Sequence, residues 1–222
     1  MAAASDLATA QAALAEGFQK QNGASVRFST GASGVLAKQV ENGAPFDVFL
    51  SANEKFILDL VASKKIDPAS VRVYALGRLA LWSKDGKIRD LKELTNLSVK
   101  RIAIANPKLA PYGAAAKELL EREGYWKTVE PKIVFGENVS QTLQYAESGN
   151  VDAAITSWTL VLAKGGVLLP QDYAPIRQAG GVVTGTKQPE LARKFLDFLL
   201  SAPGQQILNN HGLASPAASS LN

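Results

Sequence analysis

Residues 100–121, KRIAIANPKLAPYGAAAKELLE, predict a β-strand that runs through a short loop into an α-helix. The apolar run at 100–106 is typical of a strand that is buried on both faces. Prolines interrupt the segment that follows, and the alanine-rich residues 112–124 indicate a helix that begins beside Tyr112. A strand followed directly by a helix is the repeating unit of an α/β fold.

The same unit recurs along the chain on both sides of this stretch. Further strands are predicted at residues 25–29, 47–52, 71–83, 132–135, 151–157 and 181–185. Further helices are predicted at residues 6–20, 35–43, 53–64, 138–148, 189–200 and 203–210. Because the strands are mostly apolar throughout, we expect mostly parallel sheets with helices on both faces. One doubly wound sheet would need about ten strands, so we expect two lobes, each with its own sheet.

The composition excludes several kinds of site. Among 222 residues there is no cysteine and one histidine, which excludes disulfides, a cysteine nucleophile and zinc sites of the Cys/His type. No apolar run reaches the roughly 18 residues that a membrane span needs, so we expect no membrane insertion. The net charge is +4, and because basic residues alternate with acidic ones we expect no nucleic-acid partner. At most, this charge provides a weak field that favours anions.

Four predicted junctions at helix starts carry small or hydroxylated residues. They are AAAS at 2–5, STGASG at 29–34, APYG at 110–113 and ENVSQ at 137–141. Each junction begins a helix, whose first amides have no partner within the helix. Ser5, Ser33 and Tyr112 add hydroxyl donors, and no Lys or Arg lies inside any of the four. Such neutral donors suit a small, fully ionised oxyanion that only accepts hydrogen bonds.

Other roles are open for the same residues. Either serine can be an ordinary N-cap, and Tyr112 can serve only for packing. A serine hydrolase would have to use Ser33 with His211, the sole imidazole. The sequence GASG at 31–34 is not the nucleophile-elbow motif, and His211 lies before Gly212, where a helix C-terminal cation is the commoner role. We therefore expect no catalytic residues and no enzyme activity.

Longer segments carry a resemblance to a known family. FSTGASGVLAKQVENGAPFDVFLSANEK at 28–55, GRLALWS at 77–83, IAIANPKLAPYGAAAKELLE at 102–121 and ENVSQTLQYAESGNVDAAI at 137–155 resemble the periplasmic molybdate-binding proteins of molybdate ABC importers. The likeness extends from Ala2 to about Gly212. It implies a two-lobed, type II binding-protein fold with the ligand in the cleft between lobes. Residues 1–78 with 181–222 would form the first lobe, and 79–180 the second.

The resemblance also implies a set of ligand-binding residues. The small-hydroxyl pair after the family's first strand falls on Ala4 and Ser5. The turn serine falls on Ser33, with the amide of Ala32 beside it. The motif tyrosine is Tyr112, and the amide donor before a later helix belongs to Val139. Together they would form a tetrahedral cage, and Ser5, Ser33, Tyr112 and Val139 would hold molybdenum only as its oxyanion.

The family implies a function and partners as well. The ligand would be molybdate and also tungstate, with another tetrahedral oxyanion such as sulfate or phosphate as the alternative. The partner would be the membrane permease of an ABC importer. We expect a monomer without a cofactor, located in the periplasm or otherwise outside the cytoplasm.

Three departures from the family are visible. Ser157 or Trp158 stands where other members have a tyrosine. Secondly, the strand that precedes the AAAS segment in the family is expected to be missing, which would leave a central ladder open beside Ala4 and Ser5. Thirdly, MAAASDLATA at 1–10 has neither the basic nor the apolar region of a signal peptide. We therefore expect the natural start to lie upstream, or the chain to have been trimmed.

Overall fold

The computed structural model describes residues 1–216 and divides the chain into two compact units. Unit 1 comprises Met1–Gly77 and Arg177–Asn222, and unit 2 comprises Arg78–Ile176. Unit 1 thus ends its first part at Gly77, where the sequence analysis placed 78, and resumes at Arg177, where it placed 181. Residues 217–222, which were assigned to the first lobe, lie outside the described residues.

Strands and helices alternate through both units. The strands are β1 (Ala2–Ala4), β2 (Ser29–Gly31), β3 (Val48–Ser51), β4 (Arg72–Gly77), β5 (Leu79–Trp82), β6 (Ile102–Ala105), β7 (Ile133–Gly136), β8 (Ala153–Ser157), β9 (Val167–Leu168) and β10 (Ile176–Val182). The α-helices are α1 (Gln11–Asn22), α2 (Ser33–Glu41), α3 (Glu54–Ala62), α4 (Pro111–Arg122), α5 (Trp126–Val129), α6 (Val139–Glu147), α7 (Trp158–Val161), α8 (Pro189–Leu200) and α9 (Ala202–Asn210). Short 3₁₀ helices occupy Ser5–Thr9, Pro68–Ser70, Leu91–Thr95, Glu130–Lys132 and Leu162–Lys164. Within residues 1–216, no helix is both long and apolar enough to cross a membrane.

The sheet of unit 1 has the strand order β2-β1-β3-β10-β4. β1 pairs in parallel with both β2 and β3, and β10 runs antiparallel to β3. Beside this sheet, the ring of Phe18 packs edge-to-face against those of Phe195 and Phe198 at centroid distances of 5.1 and 5.7 Å. These aromatic contacts join α1 to α8 and build the core on that face.

The prediction that the strand before the first junction is missing was wrong. Ala2–Ala4 themselves form β1, and both ladders beside it are paired. Alanine has a low intrinsic preference for strands, which is why the segment gave no strand signal. Because β1 lies between β2 and β3, its backbone forms hydrogen bonds on both sides. The three alanines are buried, with at most 2% of their surface exposed.

Several element boundaries also differ from the prediction. The segment 71–83 is not one strand but two, β4 and β5, which belong to different sheets. β2 lies at Ser29–Gly31, where the prediction had 25–29, and β10 at Ile176–Val182, where it had 181–185. The helix predicted at 6–20 divides into a 3₁₀ helix, Ser5–Thr9, and α1. For the strands, pairing with distant strands decided the boundary, because the local apolar pattern does not specify a partner.

The sheet of unit 2 has the order β7-β6-β8-β5-β9. β6 is parallel to β7 and to β8, whereas β5 is antiparallel to β8 and β9. Ile102, Ala103 and Ile104 of β6 are fully buried, as the opening stretch of sequence predicted. Both sheets therefore contain three neighbouring parallel strands with an antiparallel strand, β10 or β5, directly beside them, and helices follow the parallel strands.

Candidate functional site

In unit 1 the predicted residues lie at the carboxyl edge of the parallel strands. The register places Ala4 of β1 beside Gly31 of β2, and Ser51 of β3 beside Ala179 of β10. Ala3 lies beside Leu50, so Ala4 and Ser51 share the next row. Ser5, Ala32 and Ala52 directly follow the ends of β1, β2 and β3, and Gln178 directly precedes Ala179 in β10. Two helix starts of the predicted site are thereby brought together at one edge of the sheet.

Both helix starts at this edge have an alanine at the N-cap. Ala4 caps the 3₁₀ helix Ser5–Thr9, Ala32 caps α2, and neither start has a side-chain cap hydrogen bond. Ser5 and Ser33 are thus the first residues inside their helices, and the N-cap interpretation of the two serines is wrong. Because alanine offers no acceptor to the first-turn amides, these amides suit an anion.

Ser33 is held by a contact that the sequence did not predict. Its Oγ accepts a hydrogen bond from the backbone N–H of Ala52 at 3.0 Å, and the residue is 2% exposed. A hydroxyl that accepts one hydrogen bond still carries a proton to donate. The bond from Ala52 therefore orients Ser33 and leaves its donor function intact.

The third helix start at this edge differs from the other two. Asn53 caps α3, and its side chain accepts a hydrogen bond from the backbone N–H of Lys55 at 2.8 Å. The side chain of Asn53 thus occupies the place that an anion would take. The signal for this difference, an asparagine directly before a helix, is present in the sequence.

In unit 2, Tyr112 lies in the first turn of α4, at the carboxyl end of β6. The helix begins with Pro111, one residue before the predicted start at 112, after Ala110, which forms no side-chain cap. Tyr112 is 3% exposed. Gly113 follows Tyr112 in the same turn of α4. In the structure a Cβ at this position would overlap the carbonyl oxygen of Ala105, so Gly113 first serves the packing of α4 against β6.

Val139 is the first residue of α6, at the carboxyl end of β7. Asn138 caps this helix, and its side chain accepts from the amides of Ser140 and Gln141 at 3.0 and 3.1 Å. The amide of Val139 is not one of the two that this cap satisfies. The carbonyl oxygen of Val139 accepts from Thr156 Oγ1 at 2.9 Å, which fixes the helix start against β8.

We expect Asn138→Ala to lower the free energy of unfolding by about 1 kcal/mol, because two first-turn amides lose their acceptor. Asn138→Ser, which keeps a capping oxygen, should retain most of that stability. Urea unfolding of both variants checks this. Equal losses would show that the side-chain oxygen of Asn138 does not stabilise α6.

The two residues at the position of the family's tyrosine have local roles. Ser157 is fully buried and caps α7, accepting from the amide of Thr159 at 3.3 Å. Its Oγ also lies 2.9 Å from the hydroxyl of Thr159. The amide of Trp158 donates to the carbonyl of Arg78 at 2.9 Å. The hydroxyl of Ser157 is therefore engaged in the structure of its own turn.

A metal site and a serine-hydrolase site have less support than an oxyanion site. Within residues 1–216, no group of three or more His, Asp or Glu side chains is arranged to hold a metal ion. Among the same residues, no hydrogen bond joins Ser33 to His211, which lies at the C-cap of α9. The serine-hydrolase alternative thus lacks the contact between nucleophile and base that defines such a site.

A cavity in unit 1 lies at a different place from the predicted residues. Its volume is about 400 Å³, and Met1, Arg27, Asp47 and Phe195 contribute to its lining. Met1 and Val48 of this lining mark the amino ends of β1 and β3. The predicted residues of unit 1 lie at the opposite, carboxyl ends of these strands, so this cavity is not their site.

All six predicted site residues are buried, with at most 5% of their surface exposed. Unit 1 contributes Ala4, Ser5, Ala32 and Ser33, and unit 2 contributes Tyr112 and Val139. Each lies at or directly before a helix start that follows a parallel strand. In each unit, the arrangement offers backbone amides and hydroxyls in place of basic side chains.

Comparison with known proteins identifies relatives over nearly the whole chain. The family model described as bacterial extracellular solute-binding protein matches residues 1–214. The molybdate-binding protein ModA of Rhodobacter capsulatus is 35% identical over 200 residues, which cover 88% of this chain and 79% of that protein. ModA of Azotobacter vinelandii is 33% identical over 208 residues, covering 90% and 82%.

A solved structure extends this similarity to three dimensions. The periplasmic molybdate-binding protein of Azotobacter vinelandii superimposes with a TM-score of 0.91 at 29% identity. The match covers 97% of this chain and 98% of that one. The two-sheet architecture described above is thus shared with that protein.

Proposed function

The chain belongs to the family of bacterial extracellular solute-binding proteins, and from this premise we propose that it captures molybdate, and also tungstate, for an ABC importer. The observation that carries the proposal is the pair of helix starts, Ala4–Ser5 and Ala32–Ser33. Both lack a side-chain cap and share one sheet edge. The similarity to the two molybdate-binding relatives supports molybdate as the ligand.

Neutral donors suit this ligand for a physical reason. Molybdate is a fully ionised dianion at neutral pH, so all of its oxygens accept hydrogen bonds and none has to donate. A cage of about five to eight charge-assisted bonds, each worth roughly 1.5–3 kcal/mol, offsets the cost of association and reaches nanomolar affinity. Ser5 and Ser33 in unit 1 and Tyr112 and Val139 in unit 2 are the proposed donors.

Phosphate is the less favoured ligand because part of it is protonated at neutral pH and needs an acceptor. Glu137, the single acid inside the four junctions, is exposed. Asp6, which follows Ser5, is buried, but it accepts a hydrogen bond from Gln178. Sulfate is an acceptor-only dianion like molybdate, and its smaller size would leave donors of a molybdate-sized cage too far away.

Calorimetric titration with molybdate, tungstate, sulfate and phosphate tests this proposal. We expect tight binding of the first two and weak or no binding of the others. Molybdate at about a hundred times its dissociation constant should raise the free energy of unfolding by roughly 2.7 kcal/mol. A protein that phosphate stabilises while molybdate leaves its melting temperature unchanged would contradict the proposal.

The same proposal covers location and partners. We propose that the protein works outside the cytoplasm, in the periplasm, as a monomer that delivers its anion to the membrane permease of the importer. It needs no cofactor, and it binds its ligand without a chemical step. Light scattering after size-exclusion chromatography tests the monomer, and stimulation of molybdate uptake by permease-containing vesicles tests the delivery.

A further inference from the structure

Three buried polar side chains of unit 1 form a hydrogen-bonded chain that the proposed donor set does not include. They are Asp6, Tyr74 and Gln178, and each has at most 1% of its surface exposed. Tyr74 lies in β4, Gln178 in β10 and Asp6 in the 3₁₀ helix that begins with Ser5. A buried carboxylate and a buried amide are costly to desolvate, so their presence calls for a role.

The amide of Gln178 connects the other two side chains. Its Nε2 donates to Oδ2 of Asp6, and its Oε1 accepts from the hydroxyl of Tyr74 at 2.9 Å. With the amide in this orientation, an oxygen of Asp6 is the acceptor and the hydroxyl of Tyr74 is the donor. Burial, and secondarily the charge of Asp6, raise the pKa of Tyr74 well above its usual value, so its hydroxyl keeps the proton that it donates.

The hydrogen-bonded chain ends beside the proposed site. Asp6 is the residue after Ser5, in the same turn of 3₁₀ helix. Gln178 precedes Ala179, which pairs with Ser51 at the carboxyl end of β3, and its side chain reaches Asp6, so Gln178 lies at the same sheet edge as the Ser5 turn. The Ser5 turn is short and has no side-chain cap of its own. The link from Asp6 to Gln178 therefore ties this turn to two strands on the other side of β3.

We propose that Asp6, Gln178 and Tyr74 are positioning residues that fix the Ser5 turn, so that the hydroxyl of Ser5 is oriented to donate to the bound oxyanion. The inference rests on the proposed function for its ligand, whereas the fixing of the turn does not depend on any ligand. None of the three side chains has to contact the anion in this role.

Two measurements on the same variants test the inference. The variants are Gln178→Leu, which removes both links, and Tyr74→Phe, which removes one. Ser70→Ala is the matched control, because the buried hydroxyl of Ser70 accepts from the amide of Val182 at 2.8 Å at the far end of the same strand. The first measurement is amide hydrogen exchange of residues 4–9 without ligand, and the second is molybdate affinity by calorimetry.

We expect Gln178→Leu to accelerate exchange in residues 4–9 and to weaken molybdate binding, each by roughly tenfold, with a smaller effect of Tyr74→Phe. Ser70→Ala should lower the melting temperature without either change. If Gln178→Leu does not fold, Asp6→Leu replaces it, and its conservative control is Asp6→Asn. The control keeps an acceptor for Gln178, and Asp6→Leu does not, so only Asp6→Leu should show the full loss.

The outcomes separate the two proposals. Wild-type protein that fails to bind molybdate, with exchange in residues 4–9 still dependent on Gln178, overturns the proposed ligand and leaves the positioning of the turn in place. Wild-type protein that binds molybdate, with Gln178→Leu or Asp6→Leu binding as tightly as Ser70→Ala, overturns the positioning role.

Discussion

Tyr112→Phe is expected to weaken molybdate binding by ten- to a hundredfold, and Ser33→Ala by a similar factor. Each substitution removes one hydroxyl donor and leaves an oxygen of a desolvated dianion without its partner, a loss of about 1.5–3 kcal/mol. Neither change opens a large cavity, so both variants should fold. Calorimetric titration and a melting curve of each variant measure the two effects separately.

Two other residues supply matched controls. Tyr173 is a buried tyrosine of unit 2 whose hydroxyl accepts from the amide of Leu79 at 2.9 Å. Ser51 is a buried serine of unit 1 whose hydroxyl donates to the carbonyl of Asn53 at 2.8 Å. Tyr173→Phe and Ser51→Ala should lower the melting temperature and leave affinity for molybdate nearly unchanged.

Other results for affinity and melting temperature would give Tyr112 and Ser33 a structural role in place of a ligand-binding one. If Tyr112 only packs, Tyr112→Phe binds molybdate as tightly as the wild type does, and its affinity equals that of the control Tyr173→Phe. If Ser33 serves only as the acceptor for Ala52, Ser33→Ala loses stability and keeps its affinity. Since Ser33 belongs to unit 1 and Tyr112 to unit 2, the two results report separately on the donors of each unit.

Gly113→Ala is expected to destabilise the protein by about 3 kcal/mol, although the same change inside a helix ordinarily stabilises it by up to about 1 kcal/mol. The reason is that the new Cβ would overlap the backbone oxygen of Ala105, which cannot move without disturbing β6. For a chain of this size the melting temperature should fall by roughly 6–12 °C. Because Tyr112 precedes this residue, molybdate affinity should fall as well.

The neighbouring Ala114 provides the control for helix propensity. It is exposed in the same turn, so Ala114→Gly should cost no more than about 1 kcal/mol and leave affinity unchanged. Thermal and urea unfolding of both variants show whether each substitution raises or lowers the free energy of unfolding. A Gly113→Ala variant with a raised melting temperature would mean that α4 does not pack against β6 as closely as the structure places it.

The sequence by itself predicted the parts of the protein that depend on neighbouring residues. The starts of α4 and α8 follow from the prolines at 111 and 189, because proline fits the first turn of a helix and little else in it. The alternation of apolar strands and helices gave the α/β class with two sheets. The helices predicted from residues 6 and 35 begin at Ser5 and Ser33, so the sequence placed these starts to within two residues.

Contacts between distant residues were decided only by the tertiary structure. Three alanines became a central strand because β2 and β3 satisfy the ladder on both sides, and no local preference predicts this. The bond from Ala52 to Ser33 spans 19 residues, and the bond from Gln178 to Asp6 spans 172. Side chains that orient a site across a sheet follow from strand order and register, and a one-dimensional pattern carries neither. The sequence therefore determined approximately where helices begin, and the pairing of the strands decided which of those beginnings share one edge.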